Sequence, residues 1–382
     1  MSDGPARYLI ISASMGAGHD QVALELASRF RDQGAEARVV DLLEVLPAPV
    51  GRALRSGYAG MLRIAPWLYE GIYRAFFVPR ERLQPSTSPM VRLAARRLDS
   101  VIAGYRPTAV LSTFHLAGQA VGRLRSTGRL AVPGVVVITD AVAHALWLDP
   151  GNDVFVCVFP HVADEVRRRT GRPAIAPGPI IDPRFGPDHD PAEGRKRLGL
   201  ADGEDAIVLS TGSWGVGDVA VTASRLAELP GVRPTVLCGR NERLRAELSA
   251  VPGCVALGWR DDLPELLAGA SVLIDNAGGA TCIEAFATGV PVVSFRPIPG
   301  HGRAGVAALA EAGLTTYARD EPALLEVVRR LRQAGPARAA QCGKAAEIFA
   351  ADPAVAIRDQ LRDTAAPVPE PRSQSRLRRT RR

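Results

Sequence analysis

The sequence predicts an α/β protein with two Rossmann-like, doubly wound domains that face each other across a cleft. Its 382 residues are enough for two globular domains of ordinary size. Short apolar runs rich in β-branched residues alternate with segments of helix length along the chain. That alternation is typical of parallel sheets covered by helices on both faces, and it occurs in each half.

Short apolar runs are predicted to form the strands of the two sheets. Those in the first half are Tyr8–Ser12, Ala37–Asp41, Thr108–Ser112, Val135–Thr139 and Val154–Val158. Those in the second half are Ile207–Thr211, Thr235–Leu237, Val255–Gly258, Val272–Ile274 and Pro291–Ser294. Helix-length segments separate them, which favours parallel pairing within each sheet.

Proline and charge mark the domain boundaries. Residues 182–191 are rich in proline and charge and lack periodicity. We therefore predict an N-terminal domain over residues 1–182, a linker over 183–204 and a C-terminal domain over 205–364. Residues 365–382 combine prolines with an arginine-rich end, which predicts a disordered tail.

The charge of the chain limits the kinds of partner it can bind, and its cysteine content indicates the cellular compartment. The formal net charge of +7 comes almost entirely from arginine, which pairs well with the phosphates of nucleic acid, an anionic membrane or a nucleotide. Genomic base composition explains most of this excess, so no nucleic-acid partner is expected.

Five cysteines without paired spacing argue against disulfides or a zinc site and favour a reducing compartment. With no recognisable signal sequence or membrane-spanning apolar run, a cytoplasmic protein is expected.

The strongest motif lies in the second half, where the strand Val272–Ile274 runs into a Gly-Gly turn and a new helix. Gly278 and Gly279 let a ligand approach the backbone, and the helix start offers N–H groups and a positive dipole end to an anion. Thr281 adds a hydroxyl donor, and Glu284 can accept hydrogen bonds from ribose hydroxyls. A capped helix start with an acid near the dipole is the structural alternative.

Two further glycine-rich turns follow strand ends, where an open α/β sheet binds ligands. The turn over residues 211–218 is a weak signal alone, because such turns are common in doubly wound domains. The turn over residues 12–18 ends at His19, which begins a helix. A histidine there stays near neutral and can accept a proton, although a capping or buried polar histidine is the alternative.

Several segments together resemble the monogalactosyldiacylglycerol synthase family. The matching segments are Gly16–His19, Ser112–His115, Val137–Trp147, Gly178–Phe185 and Gly278–Ala285. They occur in this order over roughly residues 8–315, which argues against chance. The chain is more distantly similar to the N-acetylglucosaminyltransferase that forms lipid II. Both belong to glycosyltransferase family 28, whose members have the GT-B fold.

The resemblance implies a donor site in the C-terminal domain and an acceptor site in the N-terminal domain. It assigns the donor diphosphate to Gly278, Gly279 and Thr281 and the ribose to Glu284. The other donor-binding residues that it implies are Gly212, Ser213 and Gly215 in the cleft, Trp259 near the base, and His301. The acceptor-binding residues that it implies are Gly16, Gly18, His115, His144 and Trp147.

The resemblance also names the catalytic groups. His19 is implied to be the base, or alternatively a diphosphate contact, and Asp140 is the second catalytic candidate. His301 and Gly302 stand where the family often has glutamine and glutamate, so the donor sugar stays open. Trp214 also stands in the phosphate loop, where a small residue is more usual.

The implied reaction is inverting transfer of a hexose from a nucleotide sugar, expected to be a UDP-sugar, to a hydroxyl of a lipid such as diacylglycerol. No cofactor and no metal are expected, because GT-B enzymes stabilise the leaving group with backbone and helix dipoles. The Asp188-His189-Asp190 triplet has the spacing of a metal motif but lies in the linker. A glycosyltransferase of soluble natural products, a sugar-nucleotide epimerase and a non-enzymatic nucleotide- or nucleic-acid-binding protein stay open as alternatives.

Residues 51–83 form the densest aromatic region of the chain and interleave their rings with arginines. Rings and arginines together suit a membrane headgroup region. The segment therefore predicts peripheral binding to an anionic surface, such as the inner face of the cell membrane. Two helices packed on the N-terminal core are an equally good alternative.

Overall fold

The computed structural model describes residues 4–15, 17–64, 71–77, 83, 86–210, 219–298 and 300–365. The strands of the first half are β1 (Arg7–Ser12), β2 (Glu36–Asp41), β3 (Ala109–Ser112), β4 (Gly134–Ile138), β5 (Val154–Cys157) and β6 (Ala174–Ile175). Those of the second half are β7 (Asp205–Ser210), β8 (Val232–Gly239), β9 (Val255–Gly258), β10 (Ala270–Asp275), β11 (Val292–Phe295) and β12 (Thr316–Ala318). Each half forms one six-stranded sheet, and every described pairing is parallel.

Helices connect the strands and cover the sheets. Those of the first half are α1 (Ala17–Asp32), α2 (Leu42–Val45), α3 (Ala48–Ile64), a π-helix (Tyr73–Phe77), α4 (Pro89–Tyr105), α5 (His115–Ser126) and α6 (Pro160–Thr170). Those that follow are α7 (Pro191–Arg197), α8 (Val219–Ala227), α9 (Glu242–Leu248), α10 (Leu263–Ala268), α11 (Ala280–Ala287), α12 (His301–Glu311), α13 (Glu321–Leu331), α14 (Pro336–Ala346) and α15 (Pro353–Ala365). No described helix has the length and apolar character needed to cross a membrane.

The central strands are apolar because both of their faces are buried. Leu9 and Ile11 of β1 pack into one hydrophobic cluster, whereas Tyr8 and Ile10 pack into the cluster on the opposite face. This two-sided burial explains why the strands appear in the sequence as continuous apolar runs. The predicted α/β fold with two doubly wound domains is confirmed.

Each sheet reverses its strand order beside its first strand. β1 lies between β2 and β3, and β7 lies between β8 and β10. Connections that leave such a point run to opposite faces and open a crevice at the carboxyl ends of the strands. The turn after β1 and the turn after β10 lie at these two points, so the topology brings both motifs to ligand-binding positions.

The sequence does not predict two short strands. β6 has two residues and β12 has three, and each lies at the edge of its sheet. Runs this short carry no detectable periodicity, so only pairing with β5 and β11 identifies them as strands.

The last helix returns to the first domain. Ala354, Ile357 and Leu361 of α15 pack in the same cluster as Tyr8 and Ile10 of β1. The predicted C-terminal domain, residues 205–364, includes this helix by position, whereas its apolar face belongs to the N-terminal core. A sequence boundary cannot show this, because an amphipathic helix carries no information about which sheet it covers.

The linker contains α7, which packs on α10 of the C-terminal domain. The approach is close because Gly194 lies against Gly269, and a Cβ at Gly194 would lie 2.3 Å from the Glu265 carbonyl oxygen. Asp190 caps α7 by accepting a hydrogen bond from the Ala192 amide at 2.9 Å. Asp190, the last residue of the Asp-His-Asp triplet, therefore acts as the N-cap of α7.

Candidate active site

A cavity of about 1390 Å³ lies between the two domains, at the carboxyl ends of both sheets. Its wall includes His19, His115 and Trp147 from the N-terminal domain and Gly279 and Glu284 from the C-terminal domain. Residues from both candidate sites therefore border one continuous space.

His19 lies in the first turn of α1, directly after the turn that follows β1. Its Nδ1 lies 3.4 Å from Thr139 Oγ1, and the Thr113 hydroxyl donates to the His19 carbonyl at 3.2 Å. Burial lowers the pKa of His19, while the nearby Asp140 carboxylate opposes this change. The imidazole is therefore neutral near pH 7 and able to accept a proton.

Asp140 follows β4 and is held by two neighbouring rings. Trp147 Nε1 donates to Asp140 Oδ2 at 2.8 Å, and His144 Nε2 lies 3.2 Å from the same oxygen. Trp147 is only 1% exposed, and the His144 ring is almost fully buried, although both reach the cavity wall. These side chains therefore orient a carboxylate beside His19 in addition to lining the predicted acceptor site.

The rings around Asp140 form a continuous aromatic wall. The His115 ring centroid lies 5.5 Å from that of His144 and 5.9 Å from that of Trp147. Phe77 joins the wall with its centroid 4.8 Å from the His144 ring. His144 Nδ1 is buried without a hydrogen-bond partner among the described residues. The structure thus places His115, His144 and Trp147 together, and their role in binding the acceptor stays a prediction.

Asp20 is a residue that sequence reasoning missed. It lies in the first turn of α1 and accepts hydrogen bonds from the hydroxyls of Ser12 at 2.5 Å and Ser14 at 2.8 Å. These bonds tie the helix start to the end of β1, so they fix the position of His19. Serines at a strand end followed by an acid in the first helical turn are the signal that could have identified it.

On the donor side, a buried aspartate shapes the turn between β10 and α11. Asp275 is the last residue of β10, and its Oδ2 accepts from the amides of Ala277 at 2.9 Å and Gly278 at 2.5 Å. Gly278 has φ +64°, and a Cβ there would meet Leu309 Cδ1 at 3.0 Å. The backbone conformation therefore favours glycine, and any larger residue would also press on the Leu309 side chain.

The start of α11 is open to the cavity. Gly279 and Ala280 are exposed, and they line the cavity together with Gly278 and Thr281. Among the described residues, no side chain caps this helix start. Its N–H groups and positive dipole end therefore point at space that an anionic group can fill.

Glu284 lies one turn further along α11 and is only 8% exposed. Burial, with a smaller contribution from the Asp182 carboxylate, raises its pKa to about 7. Asp182 also lines the cavity, where the Arg184 guanidinium donates to it at 2.8 and 2.9 Å. These bonds from Arg184 lower the pKa of Asp182, so an ionised carboxylate lies near Glu284. Sequence reasoning did not identify Asp182 or Arg184 as site residues.

Trp259 follows β9 directly and borders the cavity on the C-terminal side. It is 55% exposed, and the Arg240 guanidinium carbon lies 4.9 Å from its ring centroid. A large ring that stays exposed at a cavity edge offers a surface on which a planar base can stack.

Some predicted site residues lie outside the described residues. These are Gly16, Gly212, Ser213 and Gly215. His301 begins α12, but its side chain is also outside the described part of the structure. Gly18 is described and lines the cavity beside His19. Within the described ranges, no group of three metal-ligating side chains is found.

Solved structures with this architecture include glycosyltransferases of the GT-B type. CalG4, the calicheamicin glycosyltransferase, superposes with a TM-score of 0.60 at 16% identity, over 95% of this chain and 100% of that one. Anabaena HepE in complex with UDP-glucose superposes with a TM-score of 0.56 at 16% identity, over 94% and 98% of the two chains. These likenesses show the fold.

Sequence comparison finds relatives with named activities. Residues 19–174 match the family model of monogalactosyldiacylglycerol (MGDG) synthase. Over 345 residues the chain is 27% identical to the processive diacylglycerol beta-glucosyltransferase of Bacillus mycoides (strain KBAB4), which covers 86% of each chain. These matches identify the protein as a glycosyltransferase, and they confirm the resemblance drawn from its motifs.

Proposed function

We propose that this protein is an inverting glycosyltransferase that transfers a hexose from a UDP-sugar to the free hydroxyl of a diacylglycerol. The main observation in support is that the open start of α11 and the His19 imidazole border the same cavity. The name of the Bacillus mycoides relative supports the acceptor class. The UDP-glucose complex of the Anabaena protein supports the donor class.

The donor would lie along the C-terminal wall. The open N–H groups at Gly279 and Ala280 suit a diphosphate, and the Thr281 hydroxyl can donate a further hydrogen bond. Glu284 would accept hydrogen bonds from the two ribose hydroxyls, and Trp259 would stack on the uracil. This arrangement directs the anomeric carbon towards the N-terminal domain.

The chemistry requires one proton acceptor and one stabilised leaving group. As the acceptor oxygen bonds to the anomeric carbon, His19 takes the hydroxyl proton and the bond from the anomeric carbon to the UDP oxygen breaks. The Asp140 carboxylate stabilises the imidazolium that forms. The helix dipole and amides of α11 stabilise the charge on the departing UDP. Attack from the side opposite to UDP inverts the anomeric configuration.

Peripheral membrane binding is part of the proposal. A diacylglycerol resides in a bilayer, so the acceptor site must approach one. The predicted membrane-facing segment, residues 51–83, lies partly outside the described residues, including Trp67. Its described side chains Met61, Ile72 and Phe77 line the cavity that His115 and Trp147 also border, which supports an approach of the bilayer from this side.

A donor panel incubated with total lipid extract and read by mass spectrometry tests the function. We expect a hexosylated diacylglycerol from a UDP-hexose, and product formation slower by a factor of about 100 or more from the His19→Ala variant. Glycosylation of a small aglycone with no lipid product would instead indicate a soluble acceptor. Release of a free sugar epimer without any acceptor would indicate an epimerase.

A further inference from the structure

The cavity continues beyond the catalytic histidine into the N-terminal domain. There it is lined by apolar side chains from the loop after β1, from α2 and α3, and from the start of α4. We call this part the methionine arm and define it by Met15, Leu43, Leu54, Met61, Met90 and Val91. Phe77 and His115 line the same cavity and connect the arm with the aromatic wall.

The methionine arm differs from the cleft in charge. Among the described lining residues between 43 and 114, none is an aspartate, glutamate, lysine or arginine. The charged residues that line the described cavity lie elsewhere, namely Glu25, Asp140, Asp182, Arg184, Arg260, Asp261 and Glu284. The cavity therefore has a polar end that suits a nucleotide and an apolar end that does not.

The composition of the arm is also unusual for this chain. The sequence contains four methionines, and three of them, Met15, Met61 and Met90, line the arm, while the fourth is Met1. Methionine is unbranched and flexible, so it adapts its shape to apolar partners of varied form. A wall that combines these side chains suits a flexible hydrocarbon chain better than a rigid ring system.

We propose that the methionine arm binds one acyl chain of the acceptor lipid while the hydroxyl of that lipid lies at His19. The inference rests on the proposed function and specifies how the acceptor is held. An acyl chain is the occupant that matches an arm whose described lining is uncharged and that is continuous with the proton acceptor, because it presents no polar group to this wall. The transfer rate should then depend on acyl length.

Gly57 provides the test, because it lines the cavity from α3 between Leu54 and Met61 of the arm, and a Cβ there would meet no described atom within 4 Å. Gly57→Leu should narrow the arm, because its added Cβ has space among the described residues and its branched end points into the cavity wall. Gly60 is the matched control, since it lies on the same helix, a Cβ there would also meet no described atom within 4 Å, and it does not line the cavity. Both substitutions favour the helix equally, so a difference between them reports on the arm.

The assay uses monomeric diacylglycerols with chains of four, six and eight carbons and a fixed UDP-hexose. In the wild type, kcat/KM should rise by up to about fourfold for each methylene that enters the arm. Gly57→Leu should lower kcat/KM for the eight-carbon acceptor at least about tenfold and leave the four-carbon acceptor within about twofold. Gly60→Leu should keep the wild-type profile. Equal effects on all chain lengths, or none, would overturn the proposal.

A binding measurement separates this inference from the proposed function. The probe is cis-parinaric acid, whose conjugated chain fluoresces in apolar surroundings. The wild type and Gly60→Leu should bind it, whereas Gly57→Leu and Met61→Gln should bind at least about tenfold more weakly. Gly57-dependent binding without transfer to any diacylglycerol would refute the proposed reaction and retain the acyl site. Transfer with binding that no arm substitution alters would refute the acyl site and retain the reaction.

Discussion

Replacing Glu284 by glutamine tests the donor site most directly. The carboxylate lies in the wall of the cavity, only 8% exposed, one turn beyond the open start of α11. When ionised it can accept hydrogen bonds from both ribose hydroxyls, and such charge-assisted bonds contribute about 1.5–3 kcal/mol. Glu284→Gln should therefore weaken UDP-glucose binding about ten- to a hundredfold at pH 8.

The pH dependence follows from the same residue. Burial raises the pKa of Glu284 to about 7, so in the empty site the carboxyl is mostly neutral at pH 6 and mostly ionised at pH 8. The ionised fraction is about one tenth at pH 6 and about nine tenths at pH 8. Since binding needs the ionised form, UDP-glucose affinity should rise roughly tenfold across this range.

Calorimetry at pH 6, 7 and 8 measures this change. UDP-glucose is the suitable ligand because its diphosphate is esterified at both ends and does not titrate near neutral pH. Glu284→Gln should bind weakly at every pH and show a flat profile. A variant that retained either the wild-type affinity or the wild-type slope would show that another group binds the ribose.

The raised pKa also predicts an effect on folding. Because the folded-state pKa lies above the ordinary value of 4.5, the stability linked to this proton is complete below pH 4.5. It is lost as the pH rises through about 7. We therefore compare the Tm of Glu284→Gln with that of the wild type at each pH. This difference should favour the variant more at pH 8 than at pH 5. Thermal unfolding curves that shift equally at both pH values would contradict this expectation.

Three further predictions concern catalysis, metal and membrane. His19→Ala should lower kcat by a factor of about 100 or more with UDP-glucose binding retained, whereas loss of affinity with kcat retained at saturation would make His19 a diphosphate contact. Sugar transfer should survive exhaustive chelation of metal ions. Loss of activity with EDTA and its recovery with Mg²⁺ would contradict the proposal that α11 alone stabilises the leaving group. The protein truncated after Ala365 should still sediment with anionic vesicles, and Trp67→Ala should reduce this binding. If truncation alone abolishes the binding, the arginine-rich tail is the membrane-binding segment.

The order of residues along the chain is enough to predict the architecture and the positions of both motifs. Apolar runs such as Tyr8–Ser12 identify central strands, because strands buried on both faces need apolar residues at every position. Glycine-rich turns directly after such strands identify ligand sites, because parallel sheets bind ligands at that edge. His19 and Glu284 can therefore be chosen as candidate site residues from the amino-acid sequence alone, since each lies near the start of the helix that follows such a glycine-rich turn.

Folding in three dimensions sets which partners these residues have. Asp182 and Arg184 lie in a matching segment to which the sequence assigns no binding role, yet folding brings Asp182 near Glu284, more than one hundred residues away in the chain. Trp147 and His144 contact Asp140 because the loop after β4 folds back on itself. The pKa of a group depends on its burial and on neighbouring charges, which sequence spacing does not reveal.

The same reason applies to the two features that no motif indicates. Helix α15 belongs to the N-terminal core only because its apolar face meets β1 and its neighbours in space. Met15, Met61 and Met90 are scattered in sequence and become one wall only when the loop after β1, α3 and α4 pack around a common space. Local periodicity determines which residues form a strand or a helix, whereas the space that those elements enclose depends on long-range packing.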